Sequence, residues 1–182
     1  MFEQRKKDIL NKKDKSPMGG WDKKIIPLCE KINKKDNCYT TSSCAGRVVL
    51  VKDQESRSGV FEWISHDLIK FKELKNALNK VNFAKFVKFK QEPCLLHVAC
   101  RDLKGAQELV DKAKLVGWKR SGIITTGKRF VVELIGTEKL EFLIMNNHKL
   151  LVNNQYLELV VKKSNENLKL TWDKINKLKK LI

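Results

Sequence analysis

Pro93-Cys94-Leu95-Leu96-His97-Val98-Ala99-Cys100-Arg101-Asp102 sets the architecture of this chain. Residues 94–100 read as an apolar core strand. Arg101-Asp102 ends it, and Asp102 is a good helix N-cap, because its carboxylate can accept from the unpaired N–H groups of a first turn. Leu103, Ala106, Leu109, Val110, Ala113 and Val116 then recur at helical spacing and predict an amphipathic helix. That helix stops at Gly117, since glycine tolerates the left-handed residue that ends many helices. Trp118 to Thr126 reads as the next strand, with Ser121-Gly122 near its start. Residues 94–126 therefore form a strand–helix–strand unit.

Upstream, Val48-Val49-Leu50-Val51 marks a buried strand over residues 47–52. It is preceded by Thr40-Thr41-Ser42-Ser43-Cys44-Ala45-Gly46-Arg47, in which no apolar side chain is larger than alanine. This run reads as a polar segment opening onto a strand rather than as a regular element. Its hydroxyls each bring a donor and an acceptor to a ligand. Gly46 allows close backbone approach, and the planar fork of Arg47 suits a carboxylate or phosphate. An ordinary Ser/Gly-rich turn, with Cys44 as a small buried residue, is the competing reading.

The remaining elements follow the same logic. Residues 2–15 predict a short charged helix with Phe2, Ile9 and Leu10 as contacts. Trp21, Ile25, Leu28, Cys29 and Ile32 mark one buried helical face, and Pro27 must kink that helix or delay its start. A strand at 58–64 leads to Ser65, a candidate cap for a helix over 66–80. Strands are expected at 85–90, 130–135, 140–144 and 150–151, and a long helix over 154–180. The order predicts an α+β fold with one or two mixed sheets and flanking helices. The 182 residues suit one domain, or one with a modest second lobe, and no linker divides them.

The formal charge is 38 basic minus 21 acidic, or +17, which favours a polyanionic partner such as nucleic acid. Lys70 to Lys90 carries seven lysines and one glutamate, which is either a solvated face or an RNA-facing one. Only six basic residues are arginine, and Arg47, Arg101, Arg120 and Arg129 sit beside small or polar motifs. The five cysteines form no C-x-x-C pair, which argues against a disulfide framework or zinc finger and suits a reducing cytosol. The charged opening, Met1 to Lys15, is unlike a signal peptide, and no apolar run approaches the ~20 residues of a membrane span.

Three polar motifs flank core strands: Thr40 to Arg47, His97 to Asp102, and Arg120-Ser121-Gly122. Their convergence, together with Ser16 to Asp22, would make one pocket. His97 and Asp22 are the candidate acid–base residues, although a hydrogen-bonded core histidine and a helix-capping aspartate are the plainer roles. Cys44 and His97 could pair as nucleophile and base. Cys44, His97 and Cys100 match no known metal spacing, so no metal site is expected. No G-x-G-x-x-G or Walker loop is present, which removes support for a Rossmann-type site. Trp21 and Trp118 are candidate stacking residues for a purine, or ordinary core.

Several motifs occur together in a specific order: T-S-S-C-x-G-R at 41–47, H-V-x-C-R at 97–101, and Gly117-Trp118-Lys119-Arg120-Ser121-Gly122-Ile123. With them stand Asp14-x-Ser16, Gly19 and Asp22, Trp63-x-Ser65-His66, Phe89-Lys90-x-Glu92-Pro93 and Asn165. This set resembles the tRNA wybutosine-synthesizing protein 3 family over nearly the whole chain. The resemblance implies an S-adenosylmethionine-dependent methyltransferase acting on the modified guanosine beside the anticodon of phenylalanine tRNA, at the N-4 nitrogen of its tricyclic base. It also implies a fold other than the Rossmann methyltransferase. On that basis Thr41, Ser42, Ser43, Cys44, Gly46, Ser121 and Gly122 are expected at the cofactor. Ser16, Trp21, Arg47, Arg101, Trp118 and Arg120 are expected at the tRNA, whose stem the lysine-rich helices would attract.

Overall fold

The computed structural model describes residues 1–12, 22–54 and 59–182. Asp14, Ser16, Gly19 and Trp21 lie outside the described residues. The chain divides into two compact units: Met1–Ala45, Cys94–Thr137 and Thr171–Ile182 make the first, and Gly46–Pro93 with Glu138–Leu170 the second. The division leaves little trace in the sequence because the chain passes between the units four times.

The first unit is built on β1 (Cys38–Cys44), β5 (Leu95–Cys100), β7 (Phe130–Ile135) and β6 (Gly122–Thr125), in that spatial order. Every neighbouring pair is antiparallel. The expected strand–helix–strand unit is present as β5, α4 (Leu103–Leu115) and β6, but β7 inserts between its two strands. The expectation of mixed sheets is thereby corrected: the two strands joined by α4 are not hydrogen-bonded neighbours. Asp102 caps α4 by accepting from Gly105 N–H at 2.7 Å, and Gly117 ends the turn at φ +94°. Residues 118–121 are not strand, because Trp118 turns into the core at 1% exposure and β6 begins only at Gly122.

One face of this sheet forms a core with α2 (Ile26–Asn33), α4 and the last turns of α5 (Asn154–Leu181). Leu28, Cys29 and Ile32 meet Leu96, Val98, Cys100, Val132 and Leu134, with Trp118, Leu109, Ile175 and Leu178 closing the layer. Pro27 sits in the first turn of α2, where its missing N–H costs nothing, so it delays the helix rather than kinking it. On the opposite face, α1 (Phe2–Leu10) covers one end: the Phe2 and Tyr39 rings lie 5.2 Å apart.

The second unit carries β3 (Phe61–Ser65), β2 (Arg47–Lys52), β4 (Val87–Glu92), β8 (Leu140–Asn146) and β9 (Lys149–Leu150), again all antiparallel. α3 (Phe71–Lys80) and the first part of α5 supply its helices. α3 starts later than expected. Ser65 instead closes a local turn with Asp67, and Glu73 reaches back to accept Lys70 N–H at 2.8 Å. Asn165 grips the approach to α3, its amide accepting from Ile69 N–H and donating to Ile69 C=O, both at 2.9 Å. Asn167 donates to buried Gln91 at 2.7 Å, which in turn donates to the Glu138 carbonyl. These paired amides satisfy polar groups that would each cost on the order of 1–3 kcal/mol if buried alone.

Candidate functional site

The run 40–44 is strand, not loop. Cys38, Tyr39 and Thr40 anchor it: all three are buried, and Asn33 of α2 accepts Thr40 N–H at 2.7 Å while its amide donates to the Thr40 hydroxyl. Threonine and cysteine suit a half-buried pleat, so short hydroxyls did not prevent strand formation. A bulge falls at Thr41, between the pairs Thr40–Val98 and Ser42–His97. The hydroxyl of this extra residue donates to the His97 carbonyl at 3.4 Å. A bulge turns the following side chains over. Ser42 therefore joins His97 on the face away from the core, and Ser43 turns to the core beside Leu96, where it hydrogen-bonds the Cys29 thiol.

Register then carries one row across all four strands: Ser42 opposite His97, His97 opposite Glu133, Glu133 opposite Gly122. With strands ~4.8 Å apart the row is about 14 Å long. Ser42 is exposed, and His97 and Glu133 are half-buried. The His97 Nε2 and a Glu133 carboxylate oxygen are 2.9 Å apart. Half-buried Leu95 and Ile135 pair directly on one side of the row. On the other, Arg129 donates to the Tyr39 hydroxyl at 3.4 Å.

Several expected site residues go elsewhere. Asp22 is buried, and its carboxylate accepts Ala45 N–H at 2.9 Å and Lys24 N–H at 3.2 Å, so it holds the end of β1. The Trp172 indole donates to the Ala45 carbonyl at 3.2 Å, fixing the same peptide from its other side. Ser121 is buried and its hydroxyl accepts Ile135 N–H at 3.3 Å. Trp118 is core and cannot stack on a base. Arg101 is bound by Glu3, donates to the Asp36 carbonyl at 3.1 Å and lies over the Phe2 ring, which ties α1 to the sheet. Arg47 belongs to the second unit, where Glu92 holds its Nε at 2.6 Å and Phe61 lies under the guanidinium. Gly46, at φ +96°, opens that unit too. Arg120 is exposed. The single pocket expected from all the motifs thus reduces, within the first unit, to Ser42, His97 and Gly122.

The thiols separate in the same way. Cys38 and Cys100 are register partners on the core face, opposite in direction to His97, so Cys44, His97 and Cys100 do not share a face. Burial pushes the Cys29 thiol up to about 11, even though its bond from Ser43 pulls the other way. Cys94 is also raised well above the ordinary thiol range by burial, and Cys100 to about 12. Cys44 lies opposite Leu95, two residues along the strand from His97, whose Nε2 already faces Glu133. Cys44 and His97 are therefore not direct cross-strand partners.

Residues 4–182 match the model of the family described as Methyltransferase TYW3. The chain belongs to this family. It is 32% identical over 173 residues, 92% of its length and 89% of the relative's, to the tRNA(Phe) 7-((3-amino-3-carboxypropyl)-4-demethylwyosine(37)-N(4))-methyltransferase of Methanocaldococcus jannaschii. A relative from Thermococcus sibiricus with the same name is 32% identical over 96% of this chain and 90% of its own. The solved structure of PH1069 protein from Pyrococcus horikoshii superposes with a TM-score of 0.87 at 28% identity, covering 98% of this chain and 92% of that one. The α+β, non-Rossmann expectation agrees with that fold.

Methyltransferase TYW3 membership implies a methyl donor. The row offers groups that could hold such a donor: Glu133 can accept from an ammonium or hydroxyl, Ser42 can donate or accept, and Leu95 with Ile135 offers apolar surface. Glu133 is the residue that sequence reading missed. β7 pairs with β5 across the intervening α4 and β6, and an isolated Glu in Phe-Val-Val-Glu-Leu-Ile reads as a surface position. Among the described residues, no helix is long and apolar enough to cross a membrane.

Proposed function

We propose that this chain uses S-adenosylmethionine to methylate the N-4 nitrogen of a wyosine intermediate beside the anticodon of phenylalanine tRNA. The family match over residues 4–182 carries the reading, and the names of its 32%-identical relatives supply the substrate. The cofactor brings a methyl group already activated on a sulfonium, so the protein's task is alignment and proton handling. As the N–C bond forms, the acceptor nitrogen must lose its proton. In this reading His97 takes it. Glu133 favours the proton on Nε2, which leaves Nδ1 with the lone pair. The Thr41 hydroxyl, bonded to the His97 carbonyl, fixes the backbone that presents the ring. Ser42 and Glu133 would hold the donor's polar groups, and Gly122 leaves the far end of the row without a side chain. A cytosolic location suits the absence of any disulfide among the five cysteines.

The test is direct. Incubate the full chain with labelled S-adenosylmethionine and phenylalanine tRNA from a strain that lacks this activity, then weigh the digested nucleosides. A gain of one methyl on the tricyclic nucleoside is the expected result, and an unchanged mass rejects the reading. A basic RNA-binding protein without catalysis would show no heat on titration with S-adenosylmethionine alone.

A further inference from the structure

We propose that the β6–β7 hairpin, with the segment leading into it, is the surface that grips the phosphate backbone of the RNA substrate. This deepens the methyltransferase reading and rests on it only for the identity of the RNA. Residues 117–130 contain Lys119, Arg120, Lys128 and Arg129 and no Asp or Glu. Lys119, Arg120 and Lys128 are exposed and, among the described residues, form no ion pair.

The contrast with the sheet of the second unit is informative. There, Arg47 pairs with Glu92, Lys52 with Glu62, Lys88 with Asp53, and Lys90 and Lys139 with Glu141. Glu141 is pulled down to about 2 by its bonds from Lys139 and Lys90. Those cations are neutralised by the protein itself. Among the described residues the three hairpin cations have no counter-charge, and the complement they fit is an external polyanion.

Two further features fit a nucleic-acid backbone. Among the described residues β6 is an edge strand, with β7 on one side and no strand on the other. A bulge at Ile124 interrupts its pairing with β7, and Ile124 is 54% exposed. An unpaired edge offers N–H donors alongside the cationic side chains, and both are used in phosphate contacts. Gly122 on this strand is also the end of the row that contains His97. A strand of RNA held along the hairpin therefore has a base within about 10 Å, two strand spacings, of the His97 ring. Lysines on an edge can instead serve only to block edge-to-edge aggregation, and the experiment separates that case.

The measurement uses the full chain, with Lys119→Ala/Arg120→Ala/Lys128→Ala as the test variant. The control is Lys104→Ala/Lys112→Ala/Lys114→Ala on α4, which removes the same charge. Arg129 stays, because it bonds Tyr39. Binding to phenylalanine tRNA is followed by fluorescence anisotropy at several salt concentrations, and thermal melts check folding. The hairpin variant should bind about 10–100-fold more weakly, with the slope of log K against log salt reduced by about 2–3, since each lost phosphate contact removes roughly one. The α4 control should stay within about threefold. Equal losses in the two variants would overturn the proposal, leaving only a general charge effect. So would unchanged RNA affinity in the hairpin variant, whether accompanied by self-association or by lost binding to vesicles of anionic phospholipid. The two readings fail separately. If no tRNA is ever methylated but the hairpin variant still loses RNA, the catalytic reading falls and the docking surface stands. If methylation proceeds and the variant binds normally, the reverse holds.

Discussion

The four-stranded sheet of the first unit presents two faces of opposite character, and neighbouring residues of one strand divide between them. Ser43 turns to the core and bonds a buried thiol, while Ser42 turns outward beside His97. The core face is apolar and closed by three helices. The other face has a fixed imidazole–carboxylate pair, an exposed hydroxyl and a bare glycine. The same residue type thus holds a fold together on one side and is left available for chemistry on the other. Residue identity in a motif does not reveal which.

Substitutions can test this division, beginning with the largest expected effect. His97→Ala should lower the rate of methyl transfer by about 10²–10⁴-fold with little change in melting temperature. A comparable loss of stability with retained turnover would show that the outward face is structural after all. Trp118→Ala should do the opposite. It removes a 1%-exposed side chain and should cost about 3–5 kcal/mol in denaturant titration. A mild effect there would mean that the core face is less closed than its burial indicates.

A third test uses pH. The Cys29 thiol is raised from 9.0 to about 11, chiefly by burial. A thiol with a raised folded-state pKa gives its full contribution below its unfolded pKa and loses it as pH climbs towards the folded value. Stability should therefore fall from about pH 9 to pH 11, and Cys29→Ala should flatten this limb by on the order of 2 kcal/mol. An identical alkaline limb in the variant would remove the thiol from the account. The smallest effects come from the serines. Ser43→Ala should cost about 1 kcal/mol of stability and leave turnover nearly intact. Ser42→Ala should leave stability intact and raise KM for the methyl donor several-fold. Exchanged outcomes would mean that the two residues face the other way.

Much of the architecture was legible. The β5–α4 segment, its Asp102 cap and its Gly117 stop follow from spacing and local hydrogen-bonding alone, and so do β2, β7 and the long α5. What the sequence hides is pairing. β7 enters between β5 and β6 through contacts distant in the chain, and no local pattern encodes that order. Glu133 was missed for this reason, because its importance arises only from lying opposite His97. Asp22, Ser121 and Arg101 are recognisable as special, and the structure gives each a structural bond. Each is a polar residue satisfying backbone or tying down a helix, and from sequence that need looks the same as readiness for a ligand. Asn165 likewise stands out as a motif residue, and its two bonds to Ile69 give it a structural role.

The extra residue at Thr41 has one more consequence. It acts as a phase shifter: upstream of it odd positions of β1 point away from the core, and downstream even positions do. Deleting Thr41 would restore simple alternation with Ser42 still opposite His97, whereas closing the bulge with every residue kept would invert each hydroxyl that follows. The bulge thus lets the run hold one more residue without changing which group meets the imidazole.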